Sequence, residues 1–237
     1  MSADRRPSGY SRSTEDYLKA IYELESEGRP AQTSAIAEAL DVAPPSVSGM
    51  VKRLSEAGLL EHLPYRGVRL TRSGRRAALR MMRRHRILET YLTSKLGYGW
   101  DSVHEEAERL EHAVSDELIE RMAMALGYPE YDPHGAPIPS KDGEIEEPQD
   151  LVLLSSVPVG QMAELRMVSD RDPELLRYVA SLGLKLGVAF EVIGRQPFRG
   201  PTAIRLVAAP GREPRDQVVG HELAERLRCL VLEGEVV

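Results

Sequence analysis

The stretch TSAIAEALDVAPPSVSGMVKRLSEAG, residues 33–58, decides the fold. Ile36, Ala37 and Leu40 recur at helical spacing before Asp41-Val42-Ala43 interrupts the pattern. Thr33 is expected to cap this first helix. A second helix opens at Pro44-Pro45, where a missing N–H has no intrahelical partner to lose. Val47, Val51 and Leu54 give it an apolar stripe that faces the first helix. Two short helices joined by so short a turn form a helix-turn-helix, and the second is offered to a DNA major groove. Its other face carries Pro45, Ser46, Ser48, Gly49, Lys52 and Arg53. Short hydroxyls and long cations suit phosphates and base edges. Gly49 costs about 1 kcal/mol of helix propensity against alanine, and its bare backbone permits close approach to a duplex.

Outward from this stretch, the flanks agree with it. Gly58 closes the second helix and LLEHLPYRGVRLT, residues 59–71, reads as a hairpin turned at Tyr65-Arg66-Gly67, a wing whose Arg66 and Arg69 face a backbone or minor groove. On the other side STEDYLKAIYELESEG, residues 13–28, reads as an amphipathic helix. Ser13 or Thr14 caps it, Leu18, Ile21, Tyr22 and Leu24 form its stripe, Asp16 lies in its first turn, and Gly28 ends it.

Charge is partitioned along the chain. The net value of −6 argues against a polyanion partner, but residues 45–86 hold 11 Lys/Arg against 2 Asp/Glu, while residues 87–150 hold 4 against 16. A basic block beside an acidic one fits a nucleic-acid face next to a cation-binding body. Within the acidic block, VHEEAERLEHAVSD, residues 103–116, reads as a helix with His104, Glu108, Glu111 and His112 on one face. Two carboxylates and two imidazoles so stacked can share a divalent cation. A long helix before it, RRAALRMMRRHRILETYLTSKLG, places His85 and Glu89 one turn apart. SDELIERMAMALG, residues 115–127, supplies Leu118, Ile119, Met122 and Leu126 for packing against a second copy. An acidic Pro/Gly-rich segment follows at 131–150 and reads as mobile in part, with His134 incidental. From Val152 short β-like runs enclosing the helix DPELLRYVASLG suit a small SH3-like barrel. The chain is expected to divide into residues 1–74, 75–140, a linker at 141–151, and 152–237. Its class is α+β.

Other function classes are disfavoured. Cys229 is the only cysteine, so no internal disulfide or Cys-rich metal site exists. No run of 18 to 20 apolar residues marks a membrane span, and the arginines near the N-terminus are not followed by the apolar core of a secretory signal; the expected compartment is the cytoplasm. The paired Glu-x-x-His motifs of carboxylate-bridged enzymes and the His-Glu-x-x-His of zinc hydrolases are absent, so an enzyme is not expected.

Taken together, STEDYLKAIYELE, PPSVS, MRRHRILE, VHEEAERLEHAVSDE and the PIP at 137–139 make the chain resemble the metal-responsive repressors of the diphtheria toxin repressor and manganese transport regulator family. The resemblance implies an N-terminal winged helix, a helical dimerisation domain holding metals, and an SH3-like C-terminal domain. It implies a primary metal site of Asp16, Glu108, Glu111 and His112. It also implies an ancillary site of His85, Glu89 and His104, completed from the C-terminal domain, where Asp172 and Glu174 fall nearest. Iron-responsive members place Met at the position of Asp16 and Cys at that of Glu108. Hard oxygens at both positions suit Mn2+, with Fe2+ the alternative, at one or two sites per subunit. Short manganese regulators carry a carboxylate where this chain has Lys19, so two separate sites are expected rather than a closely bridged pair. The expected function is a metal-dependent, manganese-responsive regulator of metal-homeostasis genes that binds palindromic double-stranded operators as a homodimer.

Overall fold

The computed structural model describes residues 9–26, 28–29, 31–63, 65–207 and 214–232. The chain forms two compact units. One runs from the N-terminal helix to Tyr91 and adds Ala107–Glu130 and Ile138–Glu146; the other comprises Leu92–Glu106, Tyr131–Pro137 and the remainder from Glu147. The first eight residues of the N-terminal stretch lie outside the described residues.

The first unit begins with helix α1, Arg12–Ser26, in which Leu18, Ile21, Tyr22 and Leu24 are buried. Its cap is Ser11, whose hydroxyl accepts from the Thr14 amide at 3.3 Å, rather than Ser13 or Thr14. Helix α2, Thr33–Ala39, follows; Gln32 holds the cap position without a side-chain bond, so Thr33 is already helical. Helix α3, Pro44–Glu56, buries Val47, Met50, Val51 and Leu54. Strands β1, Leu60–Leu63, and β2, Gly67–Leu70, pair antiparallel with Leu60 opposite Leu70. The wing is anchored to the chain between α1 and α2, where the Val68 amide donates to Ala31 O at 3.0 Å. That approach requires Gly67: its φ is +99°, and a Cβ there would stand 2.4 Å from Ala31 O. The core joins α1, α2, α3, the wing and the start of helix α4, Arg72–Leu96.

Helix α5 spans Val103–Leu110 only, shorter than the periodicity implied. Glu111 to Val114 form turns, because Ser115 starts a new helix, α6, Asp116–Ala125. Ser115 takes an extended backbone, accepts from the Leu118 amide at 3.1 Å, and is followed by two acidic first-turn residues that favour the helix dipole. Ile119 and Ala123 of α6 pack with Ile87, Leu88, Ala107 and Val114.

The second unit is built on a six-stranded antiparallel sheet of order β3-β8-β4-β5-β6-β7. Its strands are β3 (Leu151–Leu153), β4 (Met162–Val168), β5 (Ala189–Arg195), β6 (Thr202–Leu206), β7 (Arg215–Val219) and β8 (Leu227–Val231). Helices α7, Pro173–Ser181, and α8, His221–Ala224, complete it. Register shifts at Leu165/Met167 and Val192/Gly194 are bulges that bend the sheet. The short strands β3 and β7 are not apparent from alternation alone. Residues 131–146, read from composition as mobile in part, are instead tied down. Asp132 Oδ1 accepts from the amides of His134 and Ala136 at 2.8 and 2.9 Å. His134 O takes the Val168 amide at 3.0 Å, and its ring stacks on Trp100 with centroids 6.2 Å apart. Farther on, Arg83 donates to Pro139 O and Arg76 to Asp142 O, each at 2.9 Å. Composition failed here because these bonds use backbone carbonyls and one buried Asp, which any polar segment possesses.

Candidate metal centre

His112 gathers the first cluster. The turn after α5 leaves its ring buried, with Nε2 2.9 Å from Asp16 Oδ1 of α1 and 3.5 Å from Glu111 Oε1. Nε2 is thus a buried nitrogen whose nearest neighbours are carboxylate oxygens. Donor atoms from Asp16, Glu111 and His112 lie within 4.8 Å of one another. The opposite ring nitrogen, Nδ1, faces Glu15 Oε2 at 2.8 Å. Glu15 is buried, and its other oxygen lies 3.6 Å from the buried Arg84. Arg84 in turn donates to Asp116 in the first turn of α6 at 2.6 and 3.1 Å. A carboxylate on one imidazole nitrogen fixes the ring and turns the other nitrogen toward a ligand. Burial opposes the charge on His112, but the adjacent carboxylates of Asp16 and Glu15 and the charge of Glu111 raise its pKa to about 9. A buried imidazole nitrogen facing two carboxylates is a donor set that fits a divalent cation.

A second cluster adjoins the first through Glu111. His85 Nδ1 lies 2.6 Å from Glu111 Oε2, and His85 Nε2 lies 3.0 Å from Glu89 Oε1. Glu108 Oε1 lies 3.7 Å from His85 Nδ1. Among these groups sits the Lys19 ammonium, 2.5 Å from Glu108 Oε1, 3.2 and 3.3 Å from the two Glu111 oxygens, and 3.3 Å from His85 Nδ1. Burial disfavours both cations. The charges of Glu111, Glu108 and Glu23 nevertheless push Lys19 above its ordinary value. His85, opposed by burial and by Lys19, is raised to about 9 by its bonds to Glu111 and Glu89. Both can be charged together because Glu89, Glu108 and Glu111 supply three anions around them.

Of the residues expected at a primary site, the structure brings Asp16, Glu111 and His112 together, and it engages Glu108 with Lys19. Of those expected at an ancillary site, His85 and Glu89 pair in the first unit. In the second, His104 Nδ1 faces Asp170 Oδ2 at 3.4 Å. Asp172 caps α7, accepting from the Glu174 and Leu175 amides at 3.0 Å, and Glu174 is exposed. Asp170 and Glu15 are the residues that sequence reading passed over; Lys19 was singled out only as standing where short manganese regulators carry a carboxylate. Glu15 had a signal, an acidic residue beside Asp16; Asp170 had none beyond its nearness to Asp172. The residues expected at DNA, namely Pro45, Ser46, Ser48, Gly49, Lys52 and Arg53 on α3 and Arg66 and Arg69 on the wing, are all exposed. Arg69 pairs with Glu61 across the hairpin at 2.9 Å.

Family models match three consecutive regions: the DNA-binding domain of iron-dependent repressors at 10–68, their metal-binding and dimerisation domain at 71–140, and the FeoA domain at 152–229. The diphtheria toxin repressor of Corynebacterium glutamicum is 36% identical over 193 residues, 77% of this chain and 84% of that protein. The iron-dependent repressor IdeR of Mycobacterium tuberculosis is 40% identical over 153 residues, 62% of this chain and 66% of that protein. Among solved structures, a manganese-dependent transcriptional repressor in complex with manganese superposes with a TM-score of 0.85 at 40% identity, covering 92% of this chain and all of that one. The manganese regulator SloR gives 0.75 at 33% identity, with 92% and 98% covered.

Proposed function

Because the chain belongs to the diphtheria toxin repressor family of metal-dependent repressors, we propose that it is a manganese-responsive transcriptional regulator binding palindromic operators as a homodimer. The observation that carries the reading is the convergence of Asp16 and Glu111 on the buried Nε2 of His112. Asp16 belongs to α1, which packs in the same core as the α3 helix bearing the DNA-facing residues. Glu111 and His112 belong to the turn leading into α6. We assign the primary ligands as Asp16, Glu111 and His112 with Glu108 beside them. His85 with Glu89, and His104 with Asp170, are two donor pairs, each formed within its own unit.

When bound, a divalent cation offsets the charge of these carboxylates and ties α1 to the α5–α6 turn. Without that offset Asp16 and Glu111 repel, and the recognition helix loses a fixed register against the dimer. The conformer that places two α3 helices at half-site spacing is the one in which the ligands converge. Metal therefore favours it by its differential affinity. Leu118 and Met124, 41% and 60% exposed on α6, support a dimer face there. The preference for Mn2+ rests on an all-oxygen-and-nitrogen donor set, since hard carboxylates favour it over softer ions. Fe2+ is the second reading, favoured by the iron-dependent names of the curated relatives.

The test is fluorescence anisotropy on the protein's own promoter region, titrated anaerobically with Mn2+, Fe2+ or chelator. Specific binding that needs metal and reaches its midpoint at physiological free Mn2+ supports the reading. Full affinity in EDTA overturns it, and activation at physiological Fe2+ alone selects iron.

A further inference from the structure

The carboxylate that faces the His112 ring is itself held from behind. Glu15 Oε2 faces His112 Nδ1 at 2.8 Å, and Glu15 Oε1 lies 3.6 Å from Arg84 Nη1. Arg84 comes from α4 and turns the rest of its guanidinium to α6, where Nε and Nη2 donate to Asp116 Oδ1 at 3.1 and 2.6 Å. One arginine thus joins the imidazole's partner on α1 to the first residue of α6. The Glu15 and Arg84 side chains are each 4% exposed, while that of Asp116 is 71% exposed. An ion pair between two exposed groups contributes little. Here the guanidinium is cut off from water, so Asp116 supplies the close countercharge that its burial requires. Because Asp116 takes two of its N–H groups, Arg84 stands off Glu15 beyond hydrogen-bond range, and Glu15 stays committed to the ring. The planar fork of arginine serves both carboxylates at once, which the point charge of a lysine does not. Glu117, in the same helical turn, gives the contrast: it accepts from Arg121 of its own helix at 2.8 and 3.0 Å.

We propose that Arg84 is a positioning residue that couples the His112 side of the metal centre to the first turn of α6, with Asp116 setting how much of its charge falls on Glu15. The proposal rests on the assignment of Asp16, Glu111 and His112 as ligands above. With the charge of Asp116 removed, Arg84 closes on Glu15 and draws that carboxylate away from Nδ1. It also becomes an uncompensated positive charge beside a cation site. Both effects oppose Mn2+ binding. The coupling is reciprocal. When His112 and Glu15 are fixed by a bound ion, Arg84 is fixed with them, and through Asp116 so is the start of α6, the helix that carries the exposed Leu118 and Met124.

The experiment measures two quantities on the full chain. One is the Mn2+ dissociation constant, from the free ion seen by electron paramagnetic resonance. The other is hydrogen exchange of the Leu118 and Ile119 amides, which bond to Ser115 at the start of α6, without Mn2+ and at saturation. In the wild type Mn2+ should slow exchange at both amides. Asp116→Asn should weaken Mn2+ binding roughly 3- to 10-fold. At saturation it should also lose the slowing at Leu118 and Ile119 while keeping it at Glu111 and His112. Glu117→Gln, which removes an equal charge from the same turn, should change neither quantity. Wild-type α6 amides that ignore Mn2+ overturn the proposal without any variant. Wild-type affinity and slowing in Asp116→Asn overturn it too, and so do equal losses in Glu117→Gln, which would assign the effect to the helix dipole. Failure of the underlying site assignment reads differently: Asp16→Asn would then leave wild-type Mn2+ uptake unchanged.

Discussion

At the scale of single residues, Glu15 and Asp16 are adjacent in sequence and approach the same imidazole from opposite sides, at Nδ1 and Nε2. In the proposed assignment the metal takes the Nε2 side, which leaves Glu15 to orient the ring without being a ligand. Glu15→Gln should weaken Mn2+ binding by roughly 10- to 100-fold, the usual cost of losing such a partner, with little change in melting temperature. Long-range 15N correlation spectra should show the wild-type ring holding its proton at Nδ1 above pH 9 and the variant ring mixed between tautomers. Identical spectra would remove Glu15 from the site. The raised pKa of His112, about 9, carries a second prediction. Below that value the free site holds a proton that a metal must displace, so binding releases it. Affinity should climb up to about tenfold per pH unit between roughly pH 6 and 9 and then level off. Calorimetry in buffers of different ionisation enthalpy reads the released proton, and a pH-independent affinity would contradict the assignment. Spacing alone identified His112 and Glu111 as partners. It was silent on Glu15, because a carboxylate in a first helical turn has a sufficient explanation in the helix dipole.

At the scale of elements, the recognition helix combines a packed face with an open one. A Cβ added at Gly49 meets nothing within 4 Å, so no packing demand explains the glycine. Gly49→Ala should therefore stabilise the protein by about 0.5 to 1 kcal/mol in urea melts, while lowering operator affinity if the duplex lies against that backbone. Unchanged affinity would show that α3 does not approach DNA there. Lys52→Ala with Arg53→Ala should weaken binding and reduce the salt slope by about two, one for each phosphate no longer neutralised; an unchanged slope would place these cations away from the backbone. Helices α1 to α3 and the wing were legible because apolar period, Pro44-Pro45 and Gly67 each act within a few residues. The end of α5 was not. Its residues continue the helical pattern through Val114, and what stops them is the competing cap at Ser115, a contest between two local preferences that periodicity does not resolve.

For the whole molecule, the boundary at 152 divides the chain less cleanly than the strand pattern implied. Trp100 packs on the core of the second unit, and His134 and Gly135 lie against β4 from a segment that precedes the boundary. A protein ending at residue 150 should keep the Asp16–Glu111–His112 centre, all of which lies in the first unit, but melt at lower temperature with its Trp100 fluorescence shifted to the red. Retained Mn2+ affinity with an unshifted tryptophan would show that Trp100 does not depend on that core. The sequence by itself determined the helix-turn-helix, the wing, the strand-rich C-terminal region and most of the His and carboxylate residues that cluster around His112 and His85. Each of those follows from periodicity, turn chemistry or donor spacing, which are properties of short segments. Tertiary structure alone decided that Lys19 meets Glu108 across 89 residues and Glu15 meets His112 across 97. Such pairs obey no local rule, because what brings them together is the packing of α1 against distant helices, and the burial that results is what makes their charges consequential.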